Sequence, residues 1–485
     1  MRLEALVTRG EAMHEALGRE YHLTGAGLKD RPEFQRIYDE YADLATDEAL
    51  EAARASGSAP LFEWAVDVRI GRLIAPFEER QLVWEREAVV TANGETYPYL
   101  RVPIEIGNMA DRERRHALDV ARARAGVGEL EELRRDRLSR EHEEIARLGL
   151  GDYVRSVATL SGIDLDALGR DATAFLDRTA DMYRDVLRQV VHKRLGVGID
   201  ALHRSDAAWL FRGDQYDAAF DADRLLEIAD GQMRELGIDL HRGGRIHFDT
   251  AEREGKQPRA FCVSVRVPDE IYLVLRPRGG HQDYRTFYHE LGHAVHFASV
   301  DASLPFAARH LGDNSVTEGF AMLFDHLTID PGWLRRFVDL SGAAARDLVF
   351  ELLVQELFML RRYAAKLWYE LELHRSDLGG MGARYAEALT TATAFRYMEE
   401  DALLDVDPGF YAARYLRAWQ LEAVLATSFV ERFGPDWYRN PEAGEALLAV
   451  MAHGQAHPAD RLATDVSGTA LAFEPLVRRL EHAFD

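Results

Sequence analysis

The residues best equipped for chemistry lie in Thr286-Phe287-Tyr288-His289-Glu290-Leu291-Gly292-His293-Ala294-Val295-His296, a stretch that contains His-Glu-x-x-His. On a helix, residues four apart share a face, one turn above the other. His289 and His293 can therefore aim two imidazoles at one ion, at a spacing that suits zinc. Glu290 sits beside the first ligand and can reach a metal-bound water. The metal lowers that water's pKa, and the carboxylate takes its proton. Three fixed residues also arise by chance, but the flanks argue for chemistry. Phe287, Leu291, Ala294, Val295 and Phe297 are apolar and imply a buried helix. Two histidines and a glutamate buried there cost free energy unless something pairs them, and a metal does so.

A catalytic zinc takes three protein ligands and keeps a position open. The third is sought in Asn314–Asp325, which follows a Gly/Asp/Asn turn and reads as a second apolar helix. Glu318 lies 25 residues after His293, enough for a loop and an antiparallel return. Asp325 is seven residues after Glu318, on the same helical face, where it can orient a ligand imidazole. His296, seven after His289, also falls on the ligand face. It is an alternative third ligand, although its place three residues after His293 better suits a packed or outer-shell histidine.

The elements that must position these residues can be read around them. Between residues 240 and 276 the pattern becomes extended, with strands at 245–249, 261–265 and 271–275, the last two joined through Pro268-Asp269. This makes a small sheet beside the zinc helix, and its outer edge could pair with an extended peptide. Cys262 reads as a buried apolar residue, since no activating partner stands beside it. Asp283 reads as the N-cap of the zinc helix and His281 as a loop residue. Residues 1–85 read as amphipathic helices broken at Ser56–Pro60. Asn93-Gly94 between β-formers signals a hairpin. Helices follow from Asp111, whose Arg112, Arg114, Arg115 and Arg122 suggest a solvated face, from 171 to 194, and from 343 to 375.

With the Glu318 segment, His289-Glu290-Leu291-Gly292-His293-Ala294-Val295-His296 resembles the zinc oligopeptidases of the thimet oligopeptidase and oligoendopeptidase F family. Upstream, Glu254-Gly255-Lys256-Gln257-Pro258-Arg259-Ala260-Phe261-Cys262 resembles that family's Gly-Lys-x-x-x-Ala-Phe/Tyr-Cys strand. The resemblance spans roughly residues 205–485 and is strongest from 249 to 325. It implies a mainly α fold with two helical halves around a deep channel, an N-terminal helical region (1–204) and a catalytic zinc metallopeptidase domain (205–485). It also implies one zinc ion per chain and cleavage within short peptides, because folded proteins cannot enter such a channel.

Amide cleavage passes through an oxyanion, which zinc neutralises in part and a nearby donor can help to hold. Tyr411 and Tyr415, four apart on a helix, resemble the family's Tyr-rich segment. The match is partial, with Val406 and Ala418 standing where some members carry a histidine and a further tyrosine. Arg414 and Arg417 could receive a substrate carboxylate, although helix arginines are usually solvated.

Composition narrows the partners. A net charge of −23 disfavours nucleic acid and anionic membrane. The single cysteine excludes an internal disulfide and fits a reducing compartment. No run has the length of a signal peptide or a membrane span, so a cytoplasmic protein is expected. Three rivals to an oligopeptidase remain. They are a zinc carboxypeptidase, a catalytically silent peptide-binding homologue, and a structural helical protein.

Overall fold

The computed structural model describes residues 1–257 and 259–484. Pro258, inside the segment that carries the upstream resemblance, and the terminal Asp485 lie outside the described residues. The chain is mainly α, as expected, with sheets of only two and three strands. In chain order, the helices used below are α1 (Leu3–Gly25), α2 (Arg112–Ala125), α3 (Leu165–Arg178), α4 (Ala180–Leu195), α5 (His281–Ser299), α6 (Asn314–Asp325), α7 (Gly342–Arg375) and α8 (Tyr411–Phe433). The strands are β1 (Val89–Ala92), β2 (Glu95–Pro98), β3 (Ile246–Asp249), β4 (Phe261–Arg266) and β5 (Glu270–Val274). Among the described residues no helix is long and apolar enough to cross a membrane.

Two compact units are present, each drawn from three stretches of chain. The first comprises Met1–Arg72, Asp214–Val349 and Arg417–Leu476. The second comprises Leu73–Gly213, Phe350–Leu416 and Val477–Asp485.

In the first unit the three-stranded sheet has the order β3-β5-β4. β3 runs parallel to β5, with Ile246 opposite Ile271, and β4 runs antiparallel, with Phe261 opposite Val274. β5 is buried along most of its length, as a central strand should be. β4 alternates instead, burying Phe261, Val263 and Val265. α1 lies along β4. A Cβ added at Gly18 would sit 3.4 Å from the Ser264 carbonyl oxygen, and one at Gly25 would sit 2.7 Å from the Phe261 ring. The edge expected to offer itself to a peptide is thus covered by α1 at Ser264.

α5 packs against α6, where every residue from Ser315 to Asp325 is buried. The crossing falls at Gly292. A Cβ there would meet the Ala321 Cα at 2.6 Å and the Phe320 carbonyl oxygen at 2.7 Å. The start of α5 differs from expectation. Gly280, at φ 91°, holds the cap position, and Asp283 in the first turn reaches back to accept from the Gly279 N–H at 3.0 Å. Glycine adopts that backbone without strain, and the carboxylate gains both backbone donors and the helix dipole. His281 is not a loop residue. It opens α5, buried, with Nε2 3.3 Å from the Thr328 carbonyl.

In the second unit, Asn93 and Gly94 both take positive φ (54° and 78°), the backbone that a tight hairpin between β1 and β2 demands. Two expectations fail here. The charged face of α2 is solvated only in part: Arg114 is partly exposed and pairs with Glu95 at 2.9 Å. Arg115 and Arg122 are buried, Arg115 pairing with Asp206 at 2.8 Å and Arg122 with Asp401 at 2.8 Å. Burial of charge is tolerated because each guanidinium has a carboxylate partner from a distant part of the chain. The single helix expected over 171–194 is two, α3 and α4. They part at Thr179, a buried residue whose hydroxyl donates to the Phe175 carbonyl and accepts from Arg361. α4 ends where expected, at Gly196 in the left-handed conformation.

Candidate metal centre

α5 and α6 bring His289, His293 and Glu318 together. Their ligand atoms all lie within 4.8 Å of one another. Glu318 Oε2 is 3.3 Å from His289 Nε2 and 3.6 Å from His293 Nε2. Helical spacing puts the two imidazoles on one face of α5, and the missing side chain of Gly292 lets α6 come close enough to supply the carboxylate.

The other nitrogen of each ring is also held. His289 Nδ1 lies 3.0 Å from Asp325 Oδ2, as the seven-residue spacing from Glu318 suggests. His293 Nδ1 lies 2.8 Å from Thr317 Oγ1. Thr317 was not identified from sequence, although a hydroxyl directly before a ligand carboxylate is a signal that could have found it. With Nδ1 engaged, each Nε2 is directed towards Glu318, the arrangement in which metal-bound imidazoles are usually fixed.

Electrostatics support a cation at this point. Burial raises the Glu318 carboxyl, but the two histidines outweigh it and hold the group well below the usual carboxylate range. Asp325 is likewise held low, its burial outweighed by Arg285 and by hydrogen bonds to His289 and His326. Burial works against a charge on His289, yet Asp325 and Glu318 overcome it and push its pKa well above the ordinary value. Two buried carboxylates thus gather positive charge. Positive charge on the rings would balance them. A divalent cation among the Nε2 atoms and Glu318 would do the same with neutral imidazoles. The residues present could hold a metal ion.

Glu290 points its carboxylate at the sheet, where Oε2 accepts from the Cys262 N–H at 2.8 Å. Burial raises its pKa, and the adjacent histidines partly offset the rise. Cys262 itself is half-buried, and burial pushes its thiol well up, which suits the packed residue expected.

His296 is fully buried. Its Nε2 lies 3.4 Å from the Gly454 carbonyl and its ring packs against Phe320, while burial pushes its pKa down to about 3. It is not among the converging ligand atoms. Tyr411 and Tyr415 belong to the second unit, at the start of α8. Their ring centroids are 5.1 Å apart, and Tyr415 stacks on Tyr363 of α7 at 5.2 Å. Arg417 is neither solvated nor free to receive a substrate carboxylate. It is buried and paired with Asp313 (3.1 Å) and Asp460 (2.7 Å). Comparison of the chain with protein-family models and with curated proteins found no match.

Proposed function

We propose that the chain is a zinc-dependent peptidase that hydrolyses internal bonds of short oligopeptides. The observation that carries this reading is the convergence of His289, His293 and Glu318, with the Glu290 carboxylate one residue from the first ligand. Zinc bound there would act as a Lewis acid, lowering the pKa of water and drawing charge from a carbonyl oxygen.

The chain's own residues supply the rest. Asp325 and Thr317 fix the tautomers and orientations of the two imidazoles. Glu290, raised towards neutrality by burial, takes a proton from the attacking water and passes it to the leaving amine. The Cys262 N–H holds Oε2 of that carboxylate in place, which leaves the other oxygen to take the proton. Tyr415 or Tyr411 supplies the hydroxyl donor for the oxyanion, a role drawn from the family resemblance. Short peptides are the substrates for the same reason.

The test combines metal analysis of the purified protein with mass spectrometry of a digest of end-blocked peptides. One zinc per chain and cleavage at internal bonds are expected. Release of single residues from free C-termini only would favour a carboxypeptidase. Glu290→Gln should keep its zinc and lose turnover by about 10²–10⁴, the usual contribution of a general base. Loss of zinc together with activity would refute the assignment of Glu290.

A further inference from the structure

α1, the first helix of the chain, belongs to the unit that carries the candidate metal centre. It is bolted to the loop that leads into β4. The Gln257 N–H donates to the Gly25 carbonyl at 2.8 Å, and Arg253 Nε donates to the Ala26 carbonyl at 2.9 Å. Gly27, at φ 68°, lies so close to this loop that a Cβ would meet the Lys256 nitrogen at 2.6 Å. Beneath the end of α1, Ala26, Phe261, Val263 and Val274 form a small apolar core.

This attachment fixes Tyr21. Its ring meets Phe261 edge-on, with centroids 5.3 Å apart, and Phe261 precedes the residue whose N–H holds Glu290. The Gln257 side chain stands at the same end of α1, its Nε2 3.4 Å from where a Cβ at Gly25 would sit. Burial pushes the phenol pKa up, and the negative charge of Glu290 adds to the rise. Yet 40% of the residue remains exposed. A single exposed aromatic is ordinary on a protein surface. One packed edge-on against Phe261, a single residue from the N–H that holds the general base, has the character of a binding-site wall: a rigid apolar body with its flank on an apolar cluster.

We propose that Tyr21 forms a wall of the substrate site beside Glu290 and selects peptides that place an apolar side chain next to the scissile bond. The inference rests on the peptidase reading for its substrate and on α1, Phe261 and Gln257 for its geometry. None of the catalytic or metal-binding candidates read from sequence lies before residue 289, so this role brings the N-terminal region into the site.

The experiment uses the full zinc-loaded chain and short end-blocked peptides that differ only in the residue flanking the cleaved bond, which is Phe, Leu or Ala. Wild type should prefer Phe and Leu. Tyr21→Ala should lower kcat/KM for those two by about tenfold, the scale of discrimination by an apolar contact, and for the Ala peptide by about twofold or less. Tyr21→Phe should keep the preference, which separates the ring from the hydroxyl. A uniform loss across the three peptides, or none, overturns the proposal. Binding of the same peptides to Glu290→Gln and to Glu290→Gln/Tyr21→Ala, read by fluorescence anisotropy, needs no turnover. It should show the same selective weakening, and equal affinities overturn the proposal. If zinc-loaded wild type cleaves nothing, the peptidase reading falls, and the anisotropy result alone then decides for or against Tyr21.

Discussion

Gly292 is where α5, which carries His289 and His293, meets α6, which carries Glu318, and adding one methyl group there tests the arrangement directly. In Gly292→Ala the new Cβ would lie 2.6 Å from the Ala321 Cα, 2.7 Å from the Phe320 carbonyl oxygen and 3.0 Å from the Ala321 nitrogen. All three are backbone atoms and cannot rotate away. Ordinary contact begins at 3.4 Å, so α5 and α6 must separate by about 0.8 Å. Alanine is favoured over glycine in a helix by about 1 kcal/mol. Overpacking typically costs about 1–3 kcal/mol, and a clash with immovable backbone belongs near the top of that range. The clash therefore wins, for a net loss of about 1–2 kcal/mol. The same separation moves Glu318 away from His289 and His293. Zinc affinity should then fall by about 10–100-fold, as when partners that orient ligands are lost. Urea denaturation of the zinc-free protein reads the first quantity, and titration against a competing chelator reads the second. If the variant is as stable as wild type and binds zinc equally well, the helices are not held at contact by Gly292 and the geometry argued here is wrong.

Other substitutions separate the remaining roles. Glu318→Ala should lower zinc affinity sharply in a chelator competition, whereas His296→Ala should leave it nearly intact and lower only the melting temperature; the opposite pattern would show that the third ligand is His296. Tyr415→Phe should cut kcat by at least about tenfold, within the range for a lost oxyanion donor, with KM and zinc content little changed. Tyr411→Phe is its paired control, and wild-type kcat in both single variants and the double variant would remove the tyrosines from the mechanism. Glu370, fully buried on α7, has its pKa pushed up to about 8 by burial. The native state therefore keeps a proton that the unfolded chain releases near pH 4.3, and this stabilisation is fully present below that pH and lost as pH rises towards about 8. Glu370→Gln keeps the acceptor for the Asp407 N–H and should flatten the decline in urea midpoint between pH 5 and pH 8, roughly the window between those two pKa values. Parallel pH profiles would count against a protonated Glu370.

What the sequence disclosed was local. The spacing of His289 and His293 is a property of one helix, and so is that of Glu318 and Asp325. Asn93-Gly94 announced its hairpin because left-handed backbone at two adjacent residues is a local demand. The three strands near the zinc helix fell within a residue of where alternation put them. What stayed hidden depends on a partner far along the chain. Arg115 and Arg122 look like surface charges until Asp206 and Asp401 are seen beside them. Arg417 looks solvated until Asp313 and Asp460 are seen. Thr317 holds an imidazole 24 residues away, and Glu290 is held by a backbone N–H, which no side-chain pattern can reveal. The break at Thr179 falls where Arg361 bonds both the Leu176 carbonyl and the Thr179 hydroxyl.

The seating of α1 on β4 has a consequence for how the molecule is made. During synthesis, α1 leaves the ribosome about 236 residues before Phe261, the strand residue it covers. At about 5–20 residues per second, the helix waits roughly 10–50 s for its partner. Through that interval its apolar face, with Leu6 and Met13 at its centre, must be shielded by other means. The first unit cannot close until its last stretch, Arg417–Leu476, has emerged. A nascent chain that has not yet produced that stretch would carry the candidate ligands His289, His293 and Glu318 without the complete unit around them.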